Sequence, residues 1–173
     1  MRAMRSRWAA AIGSGAFFVV APLVVAGLIP RWITGWRMSP PLLGWSGMRW
    51  LGIALIAAGV VALLDAFARF VRQGRGTPAP VPPTETLVIS GPYRYVRNPM
   101  YIAVAAIIVG QALLLGTPSL LGYALLVGLA FQIFVPSYEE PTLRRQFGAQ
   151  YDRYCQGVRR WWPRLTPWSS AGR

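Results

Sequence analysis

The chain has 173 residues, of which 54% are hydrophobic and 13% charged, and its net charge is +13. A soluble domain of this length has too little polar surface to cover so much apolar side chain, so lipid is the expected solvent for much of it. Every basic residue is an arginine, and most lie between or after apolar runs, which argues for membrane lipids with anionic headgroups as partners and against nucleic acid.

Trp8 to Ile29 is long enough for a first membrane span, with a kink expected at Pro22. Arg2, Arg5 and Arg7 precede it, but the run is too long for a cleaved signal peptide and lacks a small-x-small cleavage site. The connector from Pro30 to Arg49 carries Trp32, Trp36 and Trp45, with Trp50 just beyond, residues suited to the headgroup level. A second span is expected from Trp50 to Val71. Its Asp65 stands four residues before Arg69, the spacing of an ion pair on one helical face. Gln73 to Pro83, rich in Gly, Pro and Thr, reads as an extended linker. It divides the chain into an N-terminal part, 1–83, and a C-terminal part, 84–173.

The densest chemistry follows, in Leu87-Val88-Ile89-Ser90-Gly91-Pro92-Tyr93-Arg94-Tyr95-Val96-Arg97-Asn98-Pro99-Met100-Tyr101. Asn98 is suited to cap a helix and Pro99 to its first position, so a helix is expected to begin at Pro99. Met100 to Leu115 and Leu120 to Val135 are two apolar runs around Gly116-Thr117-Pro118-Ser119, an up-and-back hairpin. It returns Glu139-Glu140 to the end where Tyr93, Tyr95 and Arg97 sit, so one pocket can draw on both clusters. Thr86 to Ile89 is read as an extended segment over that pocket, or as a loop anchored by its apolar side chains. Beyond Pro141, Leu143, Phe147, Tyr151, Tyr154 and Val158 recur at helical steps of three and four, an amphipathic tail. Arg159-Arg160-Trp161-Trp162-Pro163 reads as an interfacial anchor.

The fold class expected is an all-α integral membrane protein of about four transmembrane helices, with hairpin and cytoplasmic tail forming a cofactor pocket. With both termini inside, fifteen of the eighteen arginines are cytoplasmic, the bias that orients multi-pass proteins of the bacterial inner membrane.

The chain has no His, a single cysteine, Cys155, no metal-ligand spacing and no Ser or Cys nucleophile with its base. Methyl transfer from a sulfonium needs little such equipment, because the methyl group is already activated and the protein has chiefly to align it and exclude water. Tyrosine faces such as Tyr93, Tyr95 and Tyr101 suit a sulfonium, and a carboxylate suits ribose hydroxyls.

Gly-Pro-Tyr-Arg-Tyr-Val-Arg-Asn-Pro-Met-Tyr, the hairpin, Glu-Glu, then Phe147-Gly148-x-x-Tyr151-x-x-Tyr154 and Val158-x-Arg160, together resemble the C-terminal half of the isoprenylcysteine carboxyl methyltransferase and phospholipid methyltransferase superfamily. The resemblance covers roughly Thr84 to Pro163. It implies S-adenosylmethionine as cofactor, lined by Thr86, Leu87, Val88, Tyr93, Asn98, Pro99, Met100, Tyr101 and Glu139, with Glu140 adjacent. Asn98 stands where the family often has His, Ala103 where it often has Gly, and Val135 where the isoprenylcysteine enzymes have a substrate-directed Arg. The bland roles are a cap for Asn98, an i+4 pair with Arg144 for Glu140 and belt positions for the tyrosines. An NADPH-dependent sterol-reductase-like enzyme and a non-catalytic membrane adaptor are the rivals from other classes.

The acceptor is expected to be a lipophilic anion or thiol entering from the bilayer. A neutral amine must shed a proton, and Glu140 and Asp65 each have an arginine four residues on that holds them ionised and weakly basic. Phospholipid amine methylation is the alternative.

Overall fold

The computed structural model describes residues 20–74 and 86–169. The N-terminal arginines, the opening of the expected first span, residues 75–83 of the linker and the boundary placed after residue 83 lie outside them. Among the described residues there is no strand, and the longer elements are α1 (Val20–Thr34), α2 (Gly47–Gly74), α3 (Pro99–Leu115), α4 (Pro118–Phe147) and α5 (Ala149–Gly157). By length and composition Gly47–Arg69 of α2 and the whole of α4 can cross a membrane, while α1 as described and α3 are shorter apolar helices.

The first helix runs past the expected end at Ile29 to Thr34. Its irregular turn is a π turn over Val24–Leu28, ahead of Pro30 and not at Pro22. Pro30 has no N–H, so it can serve neither the Ala26 carbonyl in α register nor the Val25 carbonyl in π register. Both are satisfied from the hairpin instead. Gln111 Nε2 donates to Ala26 O at 2.7 Å, and the Tyr123 hydroxyl donates to Val25 O at 2.9 Å. Two polar side chains in otherwise apolar helices thereby tie α1 to α3 and α4.

Small residues set the packing of α2 on α3. A Cβ added at Gly52 would lie 2.6 Å from Gly110 O, one at Gly110 2.7 Å from Gly52 O, and one at Gly59 2.9 Å from Ala103 O. Gly52 and Gly59 are seven residues apart, as are Ala103 and Gly110, so each pair shares a face and the antiparallel backbones meet at two levels.

Gly116, with a left-handed φ of 69°, ends α3 and starts the tight turn into α4. The connector after α1 folds over that turn: Ser39 N donates to Leu115 O at 2.8 Å, and Arg49 to Ser39 O at 2.9 Å. The first connector and the hairpin turn thus share one end of the bundle, and the motif lies at the other. Trp32, Trp36, Trp45 and Trp50 are all exposed, as headgroup residues require, and so are Val61 and Leu64 of α2 and Leu125, Leu126 and Ile133 of α4.

At the motif end, α2 continues to Gly74, two residues into the expected linker. Asp65 pairs with Arg69 at 2.9 Å, as its spacing implies. The expected tail helix is broken: α4 carries on through a π turn over Val135–Glu139 to Phe147, and Gly148 (φ 52°, ψ −129°) then reverses the chain into α5. A φ and ψ of that kind suit glycine alone, which is why the periodic pattern does not continue as one rod. Its apolar positions still converge, since Leu143 and Phe147 pack on the buried Tyr151, Tyr154 and Val158.

Candidate functional site

Residues 86–89 are anchored by alternate side chains. Val88 packs with Ala66, Tyr93 and Met100, whereas Leu87 and Ile89 pack on the α5 cluster of Tyr151, Tyr154 and Val158. The apolar side chains thus anchor the segment, as one of its two readings expects. Thr86 at its start is exposed. Gly91 opens the next turn with φ 52°, so any other residue would be strained there, and its Cβ would have to displace the Arg69 side chain. The Tyr93 carbonyl accepts from the Tyr154 hydroxyl at 2.7 Å. Burial, with smaller contributions from Tyr154, Glu139 and Asp65, pushes the Tyr93 phenol above its ordinary value, so it stays neutral.

Pro99 begins α3 as expected, and Asn98 occupies the position before it without capping the helix. Its buried side chain turns instead to the tail, donating from Nδ2 to Arg160 O at 3.2 Å. That contact belongs to a longer lacing. Arg97 N donates to Arg159 O at 3.0 Å, Arg164 N to Tyr95 O at 2.9 Å and Trp168 N to Arg94 O at 2.9 Å. The run from Arg159 to Pro163, expected to be an interfacial anchor, opens a strap, residues 159–168, that is hydrogen-bonded to the motif.

Adjacent helical positions diverge by about 100°, and the two glutamates go to different neighbours. Glu140 is buried and is gripped twice by Arg160, Nε to Oε1 at 2.6 Å and Nη2 to Oε2 at 2.8 Å, and once by Arg97 Nη1 at 3.1 Å. The i+4 partner expected for it, Arg144, pairs with Asp152 at 2.7 Å. The bond to Glu140 holds the Arg160 guanidinium above its ordinary value. Arg97 Nη1 also donates to Cys155 Sγ at 2.9 Å, and its buried Nε has no partner among the described residues.

Glu139, half-buried, accepts the Tyr101 hydroxyl at 2.7 Å. Asp65, Glu140 and Asp152 each pair with arginine, and Glu139 is the one carboxylate among the described residues outside those ion pairs. The Tyr101 ring stands 4.5 Å from Phe131 and 6.4 Å from Trp161, centroid to centroid. Trp161 Nε1 donates to Gln132 Oε1 at 2.6 Å. These rings border an open-sided cavity of about 240 Å³ at the motif end of the α3–α4 hairpin.

The expected site residues therefore fall into groups. Tyr101 meets Glu139; Asn98, Pro99 and Glu140 are buried beside the strap; Val88, Tyr93 and Met100 form a packed cluster with Ala66; Leu87 joins the α5 cluster and Thr86 lies at the rim. Arg160 and Trp161 were given no chemistry on sequence grounds, and the Val158-x-Arg160 element of the resemblance was the signal that pointed to the first. The model of the phospholipid methyltransferase family matches residues 48–150, more than half the chain, taking in α2 as well as the motif and both glutamates. The match thus begins earlier than the resemblance, which starts near Thr84, and adds α2 to it. No curated protein and no solved structure matches.

Proposed function

The chain belongs to the phospholipid methyltransferase family, part of the integral-membrane methyltransferases, and from that premise we propose that it transfers a methyl group from S-adenosylmethionine to a lipophilic acceptor reached from the bilayer. The pairing of Tyr101 with Glu139 is the observation that carries the reading, and the buried Nε of Arg97 adds a donor without a partner among the described residues. The residues present fit this cofactor: Arg97 suits its carboxylate, Glu139 its ribose hydroxyls, and the rings of Tyr93 and Tyr101 its sulfonium. When bound, the cofactor supplies the activated methyl group. The chain's own part is to hold donor and acceptor in line and keep water out. Thr86, Leu87, Val88, Asn98, Pro99, Met100 and Glu140 shape the walls in this reading.

For the acceptor, an anion or thiol needs no base. An amine needs a carboxylate not held ionised by an arginine, and Glu139 stands outside the ion pairs, which supports the phospholipid amine as a second reading. Isothermal titration of the purified protein tests the donor: S-adenosylmethionine and S-adenosylhomocysteine are expected to bind and NADPH not to. Binding of NADPH alone would favour a reductase, and binding of none of them an adaptor.

We also read α1 to α4 as four spans with both termini cytoplasmic and two parts meeting near residue 83. The shared end of the first connector and the hairpin turn supports this. Reporter fusions at Ser39 and Thr117 are expected to read external, and fusions at Pro80 and Ser170 cytoplasmic. A cytoplasmic signal at Thr117 contradicts the topology.

A further inference from the structure

We propose that Arg49, at the hairpin-turn end of the bundle, anchors a binding site for the phosphate of an anionic phospholipid headgroup. The site lies at the far end of the bundle from the motif and stands independently of the methyl-transfer reading.

An arginine keeps its charge at any physiological pH, so a guanidinium withdrawn from water needs a counter-charge. Arg49 is half-buried. Its Nη2 donates to Ser39 O at 2.9 Å, and its Nε is shielded from solvent with no partner among the described residues. The first carboxylate along α2 is Asp65, sixteen residues on and about 24 Å along the axis, and it is paired with Arg69. From residue 20 to 64, and again from 99 to 138, there is no Asp or Glu. Two more arginines lie near the same end. Arg31 stands over the Trp36 ring at 5.2 Å, and the exposed Arg37 comes two residues before Ser39. Among the described residues none of the three forms an ion pair. The start of α2 adds to this excess, because its free N–H groups carry a positive partial charge and no acidic side chain stands in its first turn.

Depth and charge select the occupant. Arg49 is two residues inside the apolar span Gly47–Arg69, and Trp45 and Trp50 near it in sequence are both exposed, which sets the guanidinium at the level where indoles meet headgroups. The anion that a bilayer supplies at that level is the lipid phosphate, whose oxygens match the planar fork of an arginine. A zwitterionic lipid also brings an ammonium, for which this end holds no carboxylate among the described residues. An anionic headgroup brings negative charge alone, and three arginines without an acid suit it better. To reach Nε the phosphate has to shift the connector outward. Residues 35–46 have only one short turn, Leu42–Gly44, so little regular structure opposes that shift.

The test uses the full-length protein, freed of lipid in a neutral maltoside detergent and titrated with phosphatidylglycerol, with phosphatidylcholine of the same chains, and with sodium phosphate. Native mass spectrometry reads the bound lipid, and circular dichroism melting reads both the fold of each variant and the stabilisation. One phosphatidylglycerol per chain is expected to be retained at least ~10-fold more tightly than phosphatidylcholine and to raise the melting midpoint. Arg49→Gln is expected to weaken it roughly 10- to 100-fold. Arg37→Gln, which leaves the bond to Ser39 intact, should weaken it about 5-fold, and it decides the matter if Arg49→Gln does not fold. Arg145→Gln, an exposed change at the motif end, should leave the affinity as it is. Equal retention of the two lipids overturns the proposal, as does unchanged binding in both Arg49→Gln and Arg37→Gln. A loss in Arg145→Gln as large as that in Arg49→Gln means attraction to net charge alone, and an equal stabilisation by sodium phosphate gives the site to a soluble anion; each of these overturns it too.

Discussion

Glu140→Gln is expected to destabilise the protein by about 3 kcal/mol, near the low end for breaking a buried ion pair, because Arg160 keeps 29% of its side chain exposed and can rehydrate. Arg97 is the more costly orphan, with 14% exposure and Glu140 as its carboxylate partner. Glu139→Gln removes no ion pair, so its stability should stay within about 1 kcal/mol of wild type. Its effect is expected in binding, where loss of a charged acceptor to a buried hydroxyl weakens S-adenosylmethionine by about 10- to 100-fold. Denaturant titration in detergent reads the first quantity and isothermal titration the second. A Glu140→Gln protein as stable as wild type would show that solvent, not the carboxylate, compensates the two arginines.

Gly110→Ala should cost about 1–3 kcal/mol, although the same change elsewhere in a helix is usually favourable. The new methyl would sit 2.7 Å from the backbone oxygen of Gly52 and 2.8 Å from Ile56 Cγ1, so two helices must separate to admit it. At Gly122, on the exposed face of α4, nothing lies within 4 Å, and Gly122→Ala is expected to be neutral or stabilising by up to about 1 kcal/mol. Opposite signs from one chemical change, measured on the same titration, distinguish close packing from propensity. Two equal values would mean that α2 and α3 are not held by that contact.

Whatever a local rule governs could be read in advance. Pro99 starts a helix, Gly116 turns it back, Asp65 meets Arg69 one turn on, and apolar positions at steps of three and four from Leu143 to Val158 share one cluster. Glycine at 148 broke that last pattern because only the backbone angles, not the spacing of side chains, record a reversal. Partnerships across the chain left no such trace. Glu140 had a good local candidate in Arg144, and the winners were 43 residues before it and 20 after, chosen by how the strap lies on the motif. That strap is held largely by backbone groups, which every residue carries, so residues 159–168 show no period to recognise. Asn98 was read by the commonest job of an asparagine before proline and was claimed by a carbonyl 62 residues away.

The order of synthesis bears on the strap. When a ribosome has made α2, α3 and α4, the glycine contacts and the hairpin can already close, since everything they need has emerged. The motif cannot, because the carbonyl of Arg159 and the amides of Arg164 and Trp168 are translated 62 to 74 residues after their partners at 94–97. During that interval Glu140 faces Arg97 without Arg160, and Asn98 lacks its acceptor. A nascent chain can therefore pack its bundle before its motif end is complete, and these hydrogen bonds close only after the strap has been delivered.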